Sequence, residues 1–179
     1  MQDQCSSNPF HALGLPVSFD IGTDTIERAY LMKLAQAHPD AGGESDSGND
    51  AASLNQARLT LLDSEKRANA LLSVLGGPSS SESNSLPEGF LMEMMTRREE
   101  IEDQIQAAGE ESRSSWESWA VQERKSYAAD AESLFSELND PASETELAQI
   151  RVHLNAWRYI ERLVEQLDPD YDPQAADFR

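Results

Sequence analysis

Apolar residues recur along this chain at helical spacing, in two blocks separated by a polar gap. Asn8-Pro9 sets an N-cap residue before proline at the first helical position and predicts a short helix ending near Gly14. A second helix is predicted from Asp24, with Glu27 three residues on as cap partner and Ile26, Tyr30, Leu34 and Ala37 facing a core. Pro39 lacks an amide hydrogen and disfavours helix at His38, so that helix stops there. Residues 41–50, AGGESDSGND, read as a mobile polar loop. A third helix carries Leu54, Ala57, Leu61 and Leu62. A fourth, capped near Ser64, carries Ala68, Leu71, Leu72 and Leu75. The two main helices of this block form an antiparallel hairpin around the loop. Only LPVSF, residues 15–19, hints at a strand.

Residues 76–85, GGPSSSESNS, hold no large apolar side chain, and the stretch 76–86 reads as a flexible linker. Three longer helices follow. The first spans about 87–108 and stops at Gly109, a glycine placed to cap it. The second spans about 112–138, with Trp116, Ala120, Glu123, Tyr127, Leu134 and Leu138 along one side; Asn139-Asp140-Pro141 ends it. The third opens on a capping box, Ser143 with Glu146, and runs Leu147, Ile150, Leu154, Trp157, Val164 and Leu167 on one stripe up to Asp168-Pro169. Short connections make these helices antiparallel neighbours. The expected fold is all-α: a helical hairpin domain over 8–75, the linker 76–86, a three-helix bundle over 87–168, and a loose acidic tail, 169–179.

Two bundle helices carry apolar residues off their main stripe. In the first, Met94, Arg98, Ile101, Ile105 and Ala108 cluster as the core side, while Leu91, Met92 and Met95 share a second face with Thr96 and Glu99. In the last, Val152, Ala156, Tyr159 and Leu163 form another such stripe. Apolar residues where the period predicts water mark either a partner site or packing against another part of the chain, and flexible methionine suits the first. The three tryptophans, Trp116, Trp119 and Trp157, read as core.

Charge removes whole classes of function. Lys and Arg number 14 against 33 Asp and Glu, a formal net charge of −19. Residues 1–76 hold ten acids against five bases, and residues 87–179 twenty-two against nine. Such a surface repels phosphate backbones and anionic lipid, so neither nucleic acid nor membrane is an expected partner. Cys5 is the single cysteine, which excludes an internal disulfide and a multi-cysteine zinc site; no metal and no cofactor is expected. No apolar run nears the roughly 18 residues of a membrane span. MQDQCSSNPF carries an acid and no base, unlike a targeting peptide, so the expected location is the cytoplasm.

His38-Pro39-Asp40 stands where a helix meets a glycine-rich loop. Proline at that exit holds an imidazole and a carboxylate outward in fixed geometry. The plain alternative is a helix end that solvates a loop. With His11 and His153 the only other histidines, nothing nearby completes a hydrolytic site, and a small acid–base enzyme using His38 and Asp40 is the weaker reading.

NPFHALGLP, LMKLAQAHPD and LNQARLTLLDSEKRANALLSVLGG resemble the J domain of DnaJ-type co-chaperones. GFLMEMMTRREEIED, after the linker, resembles the opening helix of the C-terminal domain of HscB-type co-chaperones of iron–sulfur cluster assembly. The resemblance covers about residues 8–168. It implies a non-enzymatic co-chaperone whose bundle binds the cluster scaffold protein and whose J domain stimulates the ATPase of a DnaK/HscA-class chaperone. The family's triplet maps onto His38, Pro39 and Asp40, and its chaperone-facing surface onto Arg28, Tyr30 and Lys33. Its scaffold-contacting positions map onto Leu91, Met92, Met95, Arg98, Glu99 and Tyr159. Eukaryotic members often add an N-terminal cysteine-rich zinc module, which a chain with one cysteine cannot form, so the resemblance implies the bacterial type. It departs from the usual pattern in its few bases on the chaperone-facing helix, in Ala37 before the triplet and Ala41 after it, and in Thr96 where an acid is usual. A J-domain protein with an unrelated client is the alternative within the same class.

Overall fold

Asn8 opens the first helix as the sequence requires. Its carboxamide oxygen accepts from the amides of Phe10 (3.0 Å) and His11 (3.3 Å), and Pro9 fills the first helical position. In this computed structural model, which describes residues 8–36 and 47–165, seven helices follow one another: α1 (Pro9–Leu13), α2 (Thr23–Gln36), α3 (Ser47–Leu62), α4 (Ser64–Val74), α5 (Phe90–Ala108), α6 (Glu110–Ser136) and α7 (Glu144–Glu165). No strand occurs among the described residues, and residues 15–19 form an irregular connection. Gly14 closes α1 at φ 67°, a left-handed conformation that costs a side-chain-bearing residue more.

α1 and α2 both pack on α3, and α4 turns back onto α6 and α7. The first hydrophobic core therefore runs through the whole joint: Phe10, Leu13, Ile26, Leu61 and Leu72 meet Leu147, Ile150, Leu154 and Trp157. A second core joins α5 to the far ends of α6 and α7 through Phe90, Met94, Ile101 and Trp116 against Ala156, Ile160 and Leu163. Tyr127 packs against both cores. Trp157 is buried without leaving its indole N–H unpaired, since Nε1 donates to Glu161 Oε1 at 3.0 Å.

Several local expectations are corrected. Glu27 does not cap α2: its carboxylate accepts two bonds from Arg58 of α3, at 2.7 and 2.6 Å, because a bidentate guanidinium outcompetes a backbone amide. The loop read over 41–50 is shortened by α3, which begins at Ser47. The cap of α4, expected near Ser64, is Asp63, which accepts from the Lys66 amide at 3.0 Å. α5 starts at Phe90 rather than Pro87, after Gly89 at φ 77°. Arg98 and Ala108 leave its core side and face solvent, while Met94 and Ile101 are buried. The linker does not hang free: Asn155 of α7 donates to the carbonyls of Ser83 (3.0 Å) and Ser85 (2.9 Å). The capping box of α7 forms as expected, Ser143 N donating to Glu146 Oε2 at 2.7 Å and Glu146 N to Ser143 Oγ at 3.3 Å. Residues Ala37 to Ala41, with the triplet among them, lie outside the described residues, as do Cys5, Leu167 and the tail 169–179.

Candidate functional site

α5 follows Gly89, a left-handed cap two residues after Pro87, and its first turns share a groove with the end of the linker. At about 100° per residue, Leu91, Met92, Met95, Arg98 and Glu99 fall within an arc of about 120°, all solvent-exposed. Leu91, Met92 and Met95 are 51%, 76% and 62% exposed, a contiguous apolar face that burial in the monomer does not account for. Asn84, Leu86 and Pro87 of the linker stand opposite as the second wall of a groove, with Thr96 and Glu99 at its far end. The linker wall was missed from the sequence. Leu86-Pro87, the first apolar pair after the serine-rich run, was the available signal.

Thr96 in the groove and Arg98 beside it are engaged along α5. Arg98 donates to Glu102 Oε1 at 2.8 Å, and that bond holds its guanidinium more firmly protonated than usual. Thr96 Oγ1 donates to the Met92 carbonyl at 3.2 Å, so the hydroxyl faces its own helix. Tyr159 sits differently from the methionines. It is half-buried on α7, with its ring edge-on to Phe90, centroids 5.5 Å apart. The expected second stripe of α7 is likewise absorbed: Ala156 and Leu163 are buried in the second core, because α5 covers that side of the helix. The structure thus places Tyr159 beside the first turn of α5 and keeps Leu91, Met92 and Met95 open.

The second candidate surface lies on α2. Arg28 is exposed, and Tyr30, two residues later, lies on the opposite side of the helix. Tyr30 is half-buried under Arg58, whose guanidinium carbon is 5.3 Å from the ring centre. Lys33 is half-buried with its stem laid along the end of α1; its Cε lies 3.3 Å from where a Cβ on Gly14 would stand. Leu31 and Met32 are exposed between them, apolar residues that sequence reasoning did not single out. Among the described residues, no group of three or more His, Cys, Asp or Glu is placed to hold a metal ion, and no helix is long and apolar enough to cross a membrane.

Residues 86–168 match the model of the HSCB C-terminal oligomerisation domain. The chain is 39% identical over 101 residues to a co-chaperone protein HscB homolog of Paraburkholderia phymatum, covering 52% of this chain and 58% of that one. It is 34% identical over 112 residues to the homolog of Vibrio cholerae, covering 59% and 66%. The chain thus spans less than two thirds of the length of the curated relatives it matches. Among solved structures, the chaperone HscB from Vibrio cholerae superposes with a TM-score of 0.70 at 24% identity, over 90% of this chain and 95% of that one. The human co-chaperone protein HscB gives 0.70 at 22%, over 93% and 82%. At such identities these two establish the fold, and the relatives matched by sequence are co-chaperones. Residues 86–168 thus carry a domain of the HSCB C-terminal type, in an all-helical chain similar in sequence to HscB co-chaperones and in fold to solved HscB structures.

Proposed function

We propose that this protein is a cytoplasmic adaptor with two docking surfaces and no active site. The groove between α5 and the linker takes the iron–sulfur cluster scaffold protein, through Leu91, Met92, Met95, Arg98 and Glu99 with Tyr159 beside them. His38, Pro39 and Asp40, with Arg28, Tyr30 and Lys33 of α2, engage a DnaK/HscA-class chaperone and stimulate its ATPase. The observation that carries this reading is the open apolar face of Leu91, Met92 and Met95 on a bundle whose other apolar stripes are covered. Adaptable thioethers at the rim of a groove suit a partner's apolar side chains, and truncating an anchor buried only in the complex commonly costs about 1–2 kcal/mol or more.

The test has two arms. Leu91→Ala with Met92→Ala weakens binding of the purified scaffold protein by at least about tenfold in calorimetry, with the melting temperature nearly unchanged. His38→Gln removes stimulation of the chaperone ATPase while leaving scaffold binding intact. Undiminished scaffold binding by the first variant overturns the scaffold role, and undiminished stimulation by the second overturns the chaperone role. Turnover by the purified protein alone would instead favour an enzyme.

A further inference from the structure

One side chain on α7 holds the linker wall of the groove in place. The Asn155 carboxamide donates both of its hydrogens across the chain, to Ser83 O at 3.0 Å and Ser85 O at 2.9 Å. Residues 83–86 lie outside any helix, so these two carbonyls have no ladder of their own to join. The residue after the second anchor, Leu86, packs on the second core, and Pro87 follows it into the groove wall. Upstream, the Ser79 amide donates to Glu82 Oε2 at 2.8 Å and closes a turn that brings the chain towards Asn155. A serine-rich segment with no such anchor samples many conformations, and a wall that must be ordered at each binding event lowers affinity.

We infer that Asn155 is a positioning residue for the scaffold groove: by clamping the Ser83 and Ser85 carbonyls to α7 it preorganises Asn84, Leu86 and Pro87 opposite Leu91, Met92 and Met95. The inference rests on the groove being the scaffold site. Asn155 does not line the groove itself; it acts through the linker, and what it must supply is hydrogen-bond donors. An ammonium meets that requirement, whereas a carboxylate, with no hydrogen to give, repels both carbonyl oxygens.

The experiment compares Asn155→Ala, Asn155→Asp and Asn155→Lys in the full chain, titrated with purified cluster scaffold protein. Asn155→Ala and Asn155→Asp weaken binding about five- to tenfold, and Asn155→Lys restores it to within about threefold of the parent. Backbone amides of residues 83–86 exchange hydrogen faster in the first two variants, a readout that needs no partner. Leu86→Ala and Asn155→Ala are non-additive in affinity, because both act through one wall. If Asn155→Ala binds within twofold of the parent while Leu91→Ala with Met92→Ala loses affinity, the positioning role is overturned and the scaffold site stands. Unchanged exchange at residues 83–86, or full additivity with Leu86→Ala, overturns it equally. If the Leu91 and Met92 variant also binds like the parent, both readings fall.

Discussion

Glu65 on α4 and Arg158 on α7 face each other at 3.8 Å, across the joint where the N-terminal helices dock on the bundle. Glu65 is buried, and Asn69 donates to its Oε1 at 2.9 Å. Arg151, also buried on α7, adds a second positive charge to the same joint.

Burial pushes the Glu65 carboxyl above its ordinary range. Arg158 and the Asn69 bond pull it back, while Asp63 and Glu161 push it further up. The folded protein therefore holds this proton more tightly than the unfolded chain does. Its stabilising contribution is complete below the ordinary glutamate value of about 4.3 and is lost as pH rises through the elevated value. Glu65→Gln keeps the neutral form at every pH. Its melting temperature relative to the parent should rise between about pH 4 and pH 7.5; a difference that stays flat would refute the sign of the shift.

Gly77 lies where the chain leaves α4, its amide donating to the Leu72 carbonyl at 2.9 Å. A Cβ there would stand 2.2 Å from Cδ1 of Leu72, a residue only 1% exposed. Gly77→Ala should therefore destabilise by about 1–3 kcal/mol through overpacking. Leu72→Ala alone should cost about 2–5 kcal/mol. Combined, the two should cost less than their sum, because the second opens the space that the first needs. Strict additivity in urea unfolding would show that Leu72 is not the obstacle.

Tyr159 and Met92 belong to one proposed surface but should separate in a stability measurement. Tyr159 packs edge-on against Phe90, a geometry worth about 0.5–1.5 kcal/mol beyond its buried area. Tyr159→Ala should lower stability by about 1–3 kcal/mol, and Tyr159→Phe by much less. Met92→Ala, at a position open to water, should stay within about 0.5 kcal/mol of the parent. A Met92→Ala variant as destabilised as Tyr159→Ala would place Met92 in the core.

The contrast between these residues also marks what a sequence reveals. Ser143 and Glu146 cap α7 as their spacing requires, because both partners lie within one turn. Leu91, Met92 and Met95 were separable from Met94 and Ile101 by the same local period. The second stripe of α7 was not assignable, since periodicity marks Ala156 and Leu163 as apolar but does not name the helix that covers them. Both α6 and α7 enter the two cores, a property of topology alone. Glu27 with Arg58 and Asn155 with Ser83 join residues 31 and 72 positions apart. A serine-rich linker composition gives no hint that one distant amide will hold it.

The α2 surface yields a prediction about salt. Opposite charges steer association, and the effect fades as salt shortens the Debye length, about 10 Å at 0.1 M. On α2 the described bases are Arg28, which is exposed, and Lys33, whose stem is folded along Gly14. The chain as a whole carries a net charge of −19, which opposes approach to any acidic partner. Association with a DnaK-class chaperone should therefore weaken with salt less steeply than for a base-rich J domain. Ala35 and Gln36 are exposed near the end of α2, where Ala35→Lys and Gln36→Lys add charge without disturbing packing. That double variant should associate faster at low salt and show a steeper decline as salt rises. A titration slope unchanged by the two added lysines would mean that the chaperone does not approach along α2.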